Sequence, residues 1–263
     1  MACHRSDKVT QAAHGKTVFV TGDARGIGKA IVAALAADGF NVSFSYSASA
    51  DEAAQLRDEL QARHPAQSIQ SYCFDLGDRA QVDELATLIG DTDSLYGLVH
   101  NAGRSYDTLA ALVDQDRAEA LFQVNFWALT RLAGTAAKPL MRAKSGRIVV
   151  IGSITAQMGV QGNSIYAASK GAMMSYIRTL AIELARKGVT ANVISPGYVD
   201  TEMMAPYAAY RDKVEAQIPL RRFGQPEEVG ALASFLFSPL AGYITGAVIP
   251  IDGGVSAGLS MQR

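Results

Sequence analysis

From Lys16 onward, short apolar runs alternate with longer stretches in which apolar residues recur every three to four positions. Runs of four to seven residues, bounded by turn formers, suit strands buried on both faces, and the amphipathic stretches suit helices that cover them. The strands predicted in this way span 17–21, 41–45, 68–74, 97–100, 147–151, 189–195 and 247–250, and the helices 27–37, 50–63, 79–89, 117–143, 165–186 and 226–238. Strands that alternate with helices imply βαβ units. The pattern therefore predicts an α/β fold, a doubly wound parallel sheet of about seven strands with helices on both faces. No repeat or linker marks a second domain, so residues 15–263 form one domain behind a flexible polar tail at 1–14. The segment 197–225 breaks the rhythm. It carries Met203, Met204, Pro206, Tyr207 and Tyr210 without a long period, and a connection of that length predicts a mobile cover over a substrate site.

Composition narrows the function. With 263 residues, 49% of them hydrophobic, the chain can bury one large core. Lys and Arg number 24 against 25 Asp and Glu, a formal charge of −1. No global field draws such a chain to nucleic acid or to anionic lipid, so a small molecule is the expected partner. Cys3 and Cys73 are the two cysteines, neither in metal-ligand spacing, so no metal is expected and a reducing cytoplasm suits them. Residues 1–14 lack the apolar run of a signal peptide or membrane anchor.

The chemistry begins at Gly22, Gly26 and Gly28, which follow the first strand and open the first helix. Glycines there let the backbone turn sharply and approach a pyrophosphate, whose charge the helix N-terminus favours. The spacing, Thr21-Gly22-x-x-x-Gly26-Ile27-Gly28, resembles the cofactor turn of the short-chain dehydrogenase/reductase family. Asn101-Ala102-Gly103 resembles that family's Asn-Ala-Gly signature, Tyr166-x-x-x-Lys170 its catalytic pair, and Pro196-Gly197 with Thr201 its Pro-Gly turn and following Thr. Ser153 and Asn125 precede the pair as the family requires. The likeness runs over about residues 15–255 and implies a Rossmann-type domain.

Two positions depart from the family pattern. Asp23 puts a negative charge beside the expected phosphates, where Arg25 or a turn amide has to offset it. His100 replaces the usual Asn before Asn-Ala-Gly and is read as a packed strand-end residue rather than a catalyst.

Carbonyl reduction needs a hydride on carbon and a proton on oxygen. On a helix, positions i and i+4 share a face, so the Lys170 ammonium is expected to stabilise tyrosinate and lower the Tyr166 pKa from its usual value near ~10. Tyr166 then gives the proton and Ser153 holds the carbonyl oxygen from a second side. The resemblance adds that Lys170 binds the nicotinamide ribose and that Asn125 holds a water in a proton relay. It also implies cofactor contacts at Ile27, Ala102, Gly103 and Val199, and at Asp75 and Leu76 beside the adenine.

An NAD site carries an acid after the second strand. Here that place offers Ser45 and Ser47, and with Arg25 in the glycine turn this predicts NADPH/NADP+ through charge-assisted bonds to a 2′-phosphate. Residues 146–153 and 244–254 resemble 3-oxoacyl-[acyl-carrier-protein] reductases most closely, which implies a 3-oxoacyl thioester, linked to an acyl carrier protein. A general carbonyl, sugar or steroid reductase is the alternative. The catalytic pair counts against a non-catalytic dinucleotide sensor, and the short segment after Gly197 against an epimerase or dehydratase of the extended branch. Resemblance further implies a homotetramer packed through residues 117–143 and 165–186 and the last strand. Lys144 and Lys187, with Arg142 and Arg186 beside them, match basic docking positions and are expected beside the active-site mouth to steer an acidic carrier.

Overall fold

The computed structural model describes residues 13–22 and 24–258. Most of the expected tail, with Cys3, and also Asp23 lie outside the described residues. Ala13 does not behave as tail: it is fully buried in the core.

Seven strands form one sheet in the order β3-β2-β1-β4-β5-β6-β7: β1 Thr17–Thr21, β2 Asn41–Tyr46, β3 Ile69–Cys73, β4 Leu95–His100, β5 Gly146–Ile151, β6 Val189–Pro196 and β7 Val248–Ile251. Every neighbouring pair is parallel. Parallel strands need covered crossovers, and the helices supply the cover on both faces. The helices that form the two covers are α1 Gly26–Ala37, α2 Ala50–Arg63, α3 Arg79–Gly90, α4 Gln115–Phe122, α5 Ala128–Ala143, α6 Ser164–Ala185, the short α7 Arg211–Glu215 and α8 Pro226–Phe237.

Side chains alternate across the sheet and sort into two cores. Phe19, Leu98, Ile148, Val150 and Val193 pack toward α3, α5 and α6. Val18, Val20, Val99, Val149 and Ile194 pack toward α1 and α8. The central strands are therefore buried on both faces, which is why they read as unbroken apolar runs rather than as alternation.

Two departures from the predicted elements bear on function. The helix expected at 117–143 is a helical column interrupted by a π-helical turn, Gln123–Trp127, with α4 before it and α5 after it. Residue periodicity hardly registers one inserted residue, and such turns often mark functional sites. The segment 197–225, expected to lack a regular period, is largely helical: Glu202–Tyr210 is 3₁₀-helical and α7 follows. Arg211 anchors that segment, donating to Asp200 at 2.8 and 3.1 Å and to Glu215 at 2.8 Å.

Two glycines separate packing from propensity. A Cβ at Gly97 on β4 would collide with the Phe237 ring and stand 2.5 Å from the Arg147 carbonyl oxygen, whereas one at Gly134 on α5 would meet nothing within 4 Å. Gly97→Ala should cost about 1–3 kcal/mol through overpacking. Gly134→Ala should gain up to about 1 kcal/mol from helix propensity. Thermal unfolding should show Tm moving in opposite directions, and parallel shifts would refute the packing argument.

Candidate functional site

The strand order reverses between β1 and β4, and the crevice at their C-terminal ends is where a sheet of this topology binds ligands. A cavity of about 570 Å³ opens there. Gly22 shapes it. Its φ is +97°, and a Cβ would stand 2.6 Å from Asn101 Nδ2 and 2.7 Å from the Ala102 amide nitrogen. Any side chain at this position would push the turn off the Asn101–Ala102 backbone and fill the cavity floor.

Every cofactor residue expected from the sequence lines this cavity: Gly22, Arg25, Gly26, Ile27, Gly28, Ser45, Ser47, Asp75, Leu76, Asn101, Ala102, Gly103, Tyr166, Lys170, Pro196, Gly197, Val199 and Thr201. Ser153 lines it as well. Asn125 stands behind the wall, fully buried. Ser45 is buried at the end of β2 and Ser47 is exposed.

Arg25 is already engaged, its Nη1 donating to Glu202 Oε2 at 2.6 Å. The pair joins the glycine turn to the segment after β6. With its side chains 39% and 70% exposed, such a bond yields readily to a stronger anion. Sequence reasoning missed Glu202 and Arg104. Arg104 also lines the cavity, and its Nη2 donates to Asp75 Oδ1 at 3.1 Å. Its place immediately after Asn-Ala-Gly was the available signal.

Around Tyr166 the groups are tightly placed. Lys170 is buried, its Nζ donating to the Ile151 carbonyl at 2.9 Å and lying 5.6 Å from the Tyr166 ring centroid. Burial pulls the ammonium down to about 8. Tyr166 is half-buried, and desolvation pushes its hydroxyl up to about 12, against a hydrogen bond from Ser153 that acts the other way. The expected lowering of the Tyr166 pKa by Lys170 is therefore not the outcome in this arrangement. The loss of water outweighs a cation that is itself directed at Ile151, and the hydroxyl stays protonated across the neutral range. The Ser153 hydroxyl, in turn, accepts from the Thr155 amide at 3.2 Å and lies 2.9 Å from Thr155 Oγ1.

Asn125 sits in the π-helical turn, and its side chain is spent on structure. Oδ1 accepts the Arg104 N–H at 2.8 Å, while Nδ2 donates to the Arg104 carbonyl and to Ser169 Oγ, both at 3.0 Å. Ser169 Oγ donates onward to the Tyr166 carbonyl at 2.7 Å. The amide thus clamps the loop after β4 to α6 and offers the cavity no free side-chain group.

Lys144 and Lys187 are not beside the mouth. Lys144 stands two residues before β5 and Lys187 two residues before β6, so both lie at the N-terminal ends of strands whose C-terminal ends form the cavity. They are joined there, since a Cβ on Gly188 would stand 2.6 Å from the Lys144 carbonyl oxygen. Six residues of strand, roughly 20 Å, separate these cations from the cavity. Counting residues along a helix places its end but not the edge of the sheet on which that end falls.

Among the described residues no cluster of His, Cys, Asp or Glu could hold a metal ion, and no helix is long and apolar enough to cross a membrane.

Comparison with known proteins accords with the geometry. Residues 22–256 match the family profile described as enoyl-(acyl carrier protein) reductase, a short-chain dehydrogenase/reductase profile. The 3-oxoacyl-[acyl-carrier-protein] reductase MabA of Mycobacterium bovis is 36% identical over 245 residues, 92% of this chain and 94% of that one. The cyclic-di-GMP-binding biofilm dispersal mediator protein of Escherichia coli is 36% identical over 244 residues, 92% of this chain and 98% of that one. Among solved structures, YwfH, described as an NADPH-dependent reductase involved in bacilysin biosynthesis, superposes with a TM-score of 0.87 at 25% identity, over 93% of this chain and 99% of that one.

The Asn125 clamp is testable by stability alone. Asn125→Asp keeps the size and the acceptor for the Arg104 N–H but sets a carboxylate against the Arg104 carbonyl and the Ser169 hydroxyl. It should cost about 2 kcal/mol or more, lowering Tm by roughly 2–4 °C per kcal/mol for a chain of this size. Unchanged Tm by scanning calorimetry would show that the clamp does not form.

Proposed function

Because the chain belongs to the short-chain dehydrogenase/reductase family and is an oxidoreductase of it, we propose that it uses NADPH to reduce a 3-oxoacyl thioester, presented on an acyl carrier protein, to the 3-hydroxyacyl thioester. The observation that carries this reading is that one cavity joins the glycine turn at one end to Ser153, Tyr166 and Lys170 at the other. Members of the family bind nicotinamide cofactors, and the residues here fit one. The Gly22 floor leaves room for a pyrophosphate against backbone amides. Asp75 and Leu76 would border the adenine, Ser45, Ser47 and Arg25 the 2′-phosphate, and Lys170 the nicotinamide ribose. Pro196, Gly197, Val199 and Thr201 would border the nicotinamide.

When bound, the dinucleotide would supply a hydride. The chain supplies the rest. Tyr166, protonated because it is desolvated, donates its hydroxyl proton to the carbonyl oxygen, and Ser153 holds that oxygen by a second hydrogen bond. Lys170, with its pKa near 8, is charged through most of the neutral range and favours the tyrosinate left behind. In the proposed relay Asn125 contributes its backbone, since its amide is committed to Arg104 and Ser169.

The acyl class is supported by the relative named above and by apolar side chains left exposed on three segments, Leu109, Val160 and Met203, the last of which lines the cavity. Backbone pairing of Thr108 with Gly162 at 2.8 Å joins the first two segments. The far placement of Lys144 and Lys187 favours the second reading, a general carbonyl reductase, unless a neighbouring subunit lends those cations. The proposed homotetramer, with Trp127 and Ile182 exposed on its pairing helices, is the arrangement in which that would happen.

Acetoacetyl thioester reduction tests the reaction. Tyr166→Phe should cut turnover on the order of 10²-fold or more with NADPH affinity nearly intact, and near-normal turnover would refute Tyr166 as proton donor.

Cofactor preference is a separate measurement. No acid stands at the end of β2, and Arg25 can exchange Glu202 for a phosphate, so kcat/KM should favour NADPH over NADH. Arg25→Ala should narrow the ratio and Glu202→Gln should widen it. A ratio that neither variant moves would place the 2′-phosphate elsewhere.

A further inference from the structure

A serine hydroxyl carries one proton and two acceptor sites, and the proposed reaction draws on the proton of Ser153. What fills the acceptor sites decides where that proton points. Strand β5 ends at Ile151, and the chain there is pinned from two sides. Lys170 Nζ donates to the Ile151 carbonyl at 2.9 Å, and the Gly152 amide donates to the Ile194 carbonyl of β6 at 2.7 Å. Ser153 follows in an extended conformation, φ −163° and ψ 147°, and caps the 3₁₀ turn Ile154–Ala156. The backbone of Ser153 is therefore fixed, while its hydroxyl still has to be oriented.

Thr155 orients it through two bonds of different origin. The Thr155 amide donates to Ser153 Oγ at 3.2 Å, the ordinary bond of a capping residue, which forms whatever side chain stands at position 155. The Thr155 hydroxyl donates to the same oxygen at 2.9 Å, and a cap does not require that bond. With both acceptor sites taken by Thr155, Ser153 has only its proton to offer. Ser153 is buried where it lines the cavity with Tyr166 and Lys170, and Thr155 is not part of that lining. A buried hydroxyl whose acceptor sites are filled is completed only by donating, and the cavity is where an acceptor can arrive.

We propose that Thr155 is a positioning residue whose hydroxyl locks Ser153 as a hydrogen-bond donor, aiming the Ser153 proton at the carbonyl oxygen of a bound substrate. A donor oriented in advance stabilises the charge that develops on that oxygen without having to turn during the reaction. Without the Thr155 hydroxyl, one acceptor site of Ser153 opens. The Tyr166 hydroxyl or a water can then donate to Ser153, which diverts the Tyr166 proton from the substrate and leaves the Ser153 proton free to rotate. The inference rests on the proposed reductase reading for the acceptor it names, but not for the orientation of Ser153.

The test is acetoacetyl thioester reduction by the full-length wild type, Thr155→Val, Ser153→Ala and the double variant, with NADPH affinity measured by calorimetry. Val keeps the β-branch and the amide bond and removes only the hydroxyl; Thr155→Ala takes its place should the Val chain not fold. Thr155→Val should lower kcat about tenfold with NADPH affinity unchanged, and Ser153→Ala should lower it on the order of 10²-fold. On the Ser153→Ala background Thr155→Val should cost nothing further, because it acts only through Ser153 Oγ. Thr155→Ser, which restores the hydroxyl, should recover most of the loss. Wild-type kcat in Thr155→Val, or an equal loss on both backgrounds, would overturn the proposal. If the wild type itself does not reduce the thioester, the reductase reading fails, and crystal structures of the wild type and Thr155→Val judge the orientation. One Ser153 rotamer against Thr155 in the wild type, displaced or mixed in the variant, supports it. The same rotamer in both, or a wild-type Oγ turned away from Thr155, overturns it.

Discussion

The site depends on one close approach, that of the glycine turn after β1 to the Asn101 side chain and the Ala102 backbone after β4. With less than 3 Å between the position of a Gly22 Cβ and those atoms, the two loops touch at the point where the strand order reverses. A crevice forms because the chain leaves β1 and β4 toward opposite faces of the sheet. The contact sets the floor of the cavity and brings the Thr21 hydroxyl within reach of both Ala102 and His100.

From that floor a line of buried polar groups crosses an otherwise apolar core. Thr21, His100, Asn125, Ser169 and Lys170 are all buried, a costly set of side chains to desolvate unless each finds partners. Most do, and many of the partners are backbone groups at or just beyond the ends of strands. The regular elements leave those groups free where they stop, so the polar residues are tolerated at the same places where chemistry is proposed. The cost is visible in the titrating groups: desolvation raises the Tyr166 hydroxyl, lowers the Lys170 ammonium and holds the His100 ring neutral.

The cavity also shows how charge is stored. Two arginines reach it, and each is held by a carboxylate, Arg25 by Glu202 and Arg104 by Asp75. Neither pair is deeply buried, so each bond is weak in water and exchangeable for a phosphate. The first pair ties the segment after β6 to the glycine turn, which would make the proposed recognition of a 2′-phosphate and the proposed seating of that segment as a cover parts of one equilibrium.

The chain by itself determined the sheet and its helices, and local patterns marked the glycine turn and the pair Tyr166 and Lys170 one turn apart; most other residues that line the cavity were expected only through the family resemblance. Strand ends moved by one or two residues and the π-helical turn was invisible, since one residue added to a helix leaves its periodicity nearly intact. Only the tertiary structure decided that the Asn125 amide clamps Arg104, that Arg25 is held by Glu202 across 177 positions, and that burial governs the Tyr166 hydroxyl. It also decided that Lys144 and Lys187 stand at the far edge of the sheet from the cavity. Spacing along a sequence records which residues share a helix face or a turn. Desolvation, and the partners a side chain meets from distant segments, exist only once the chain has folded.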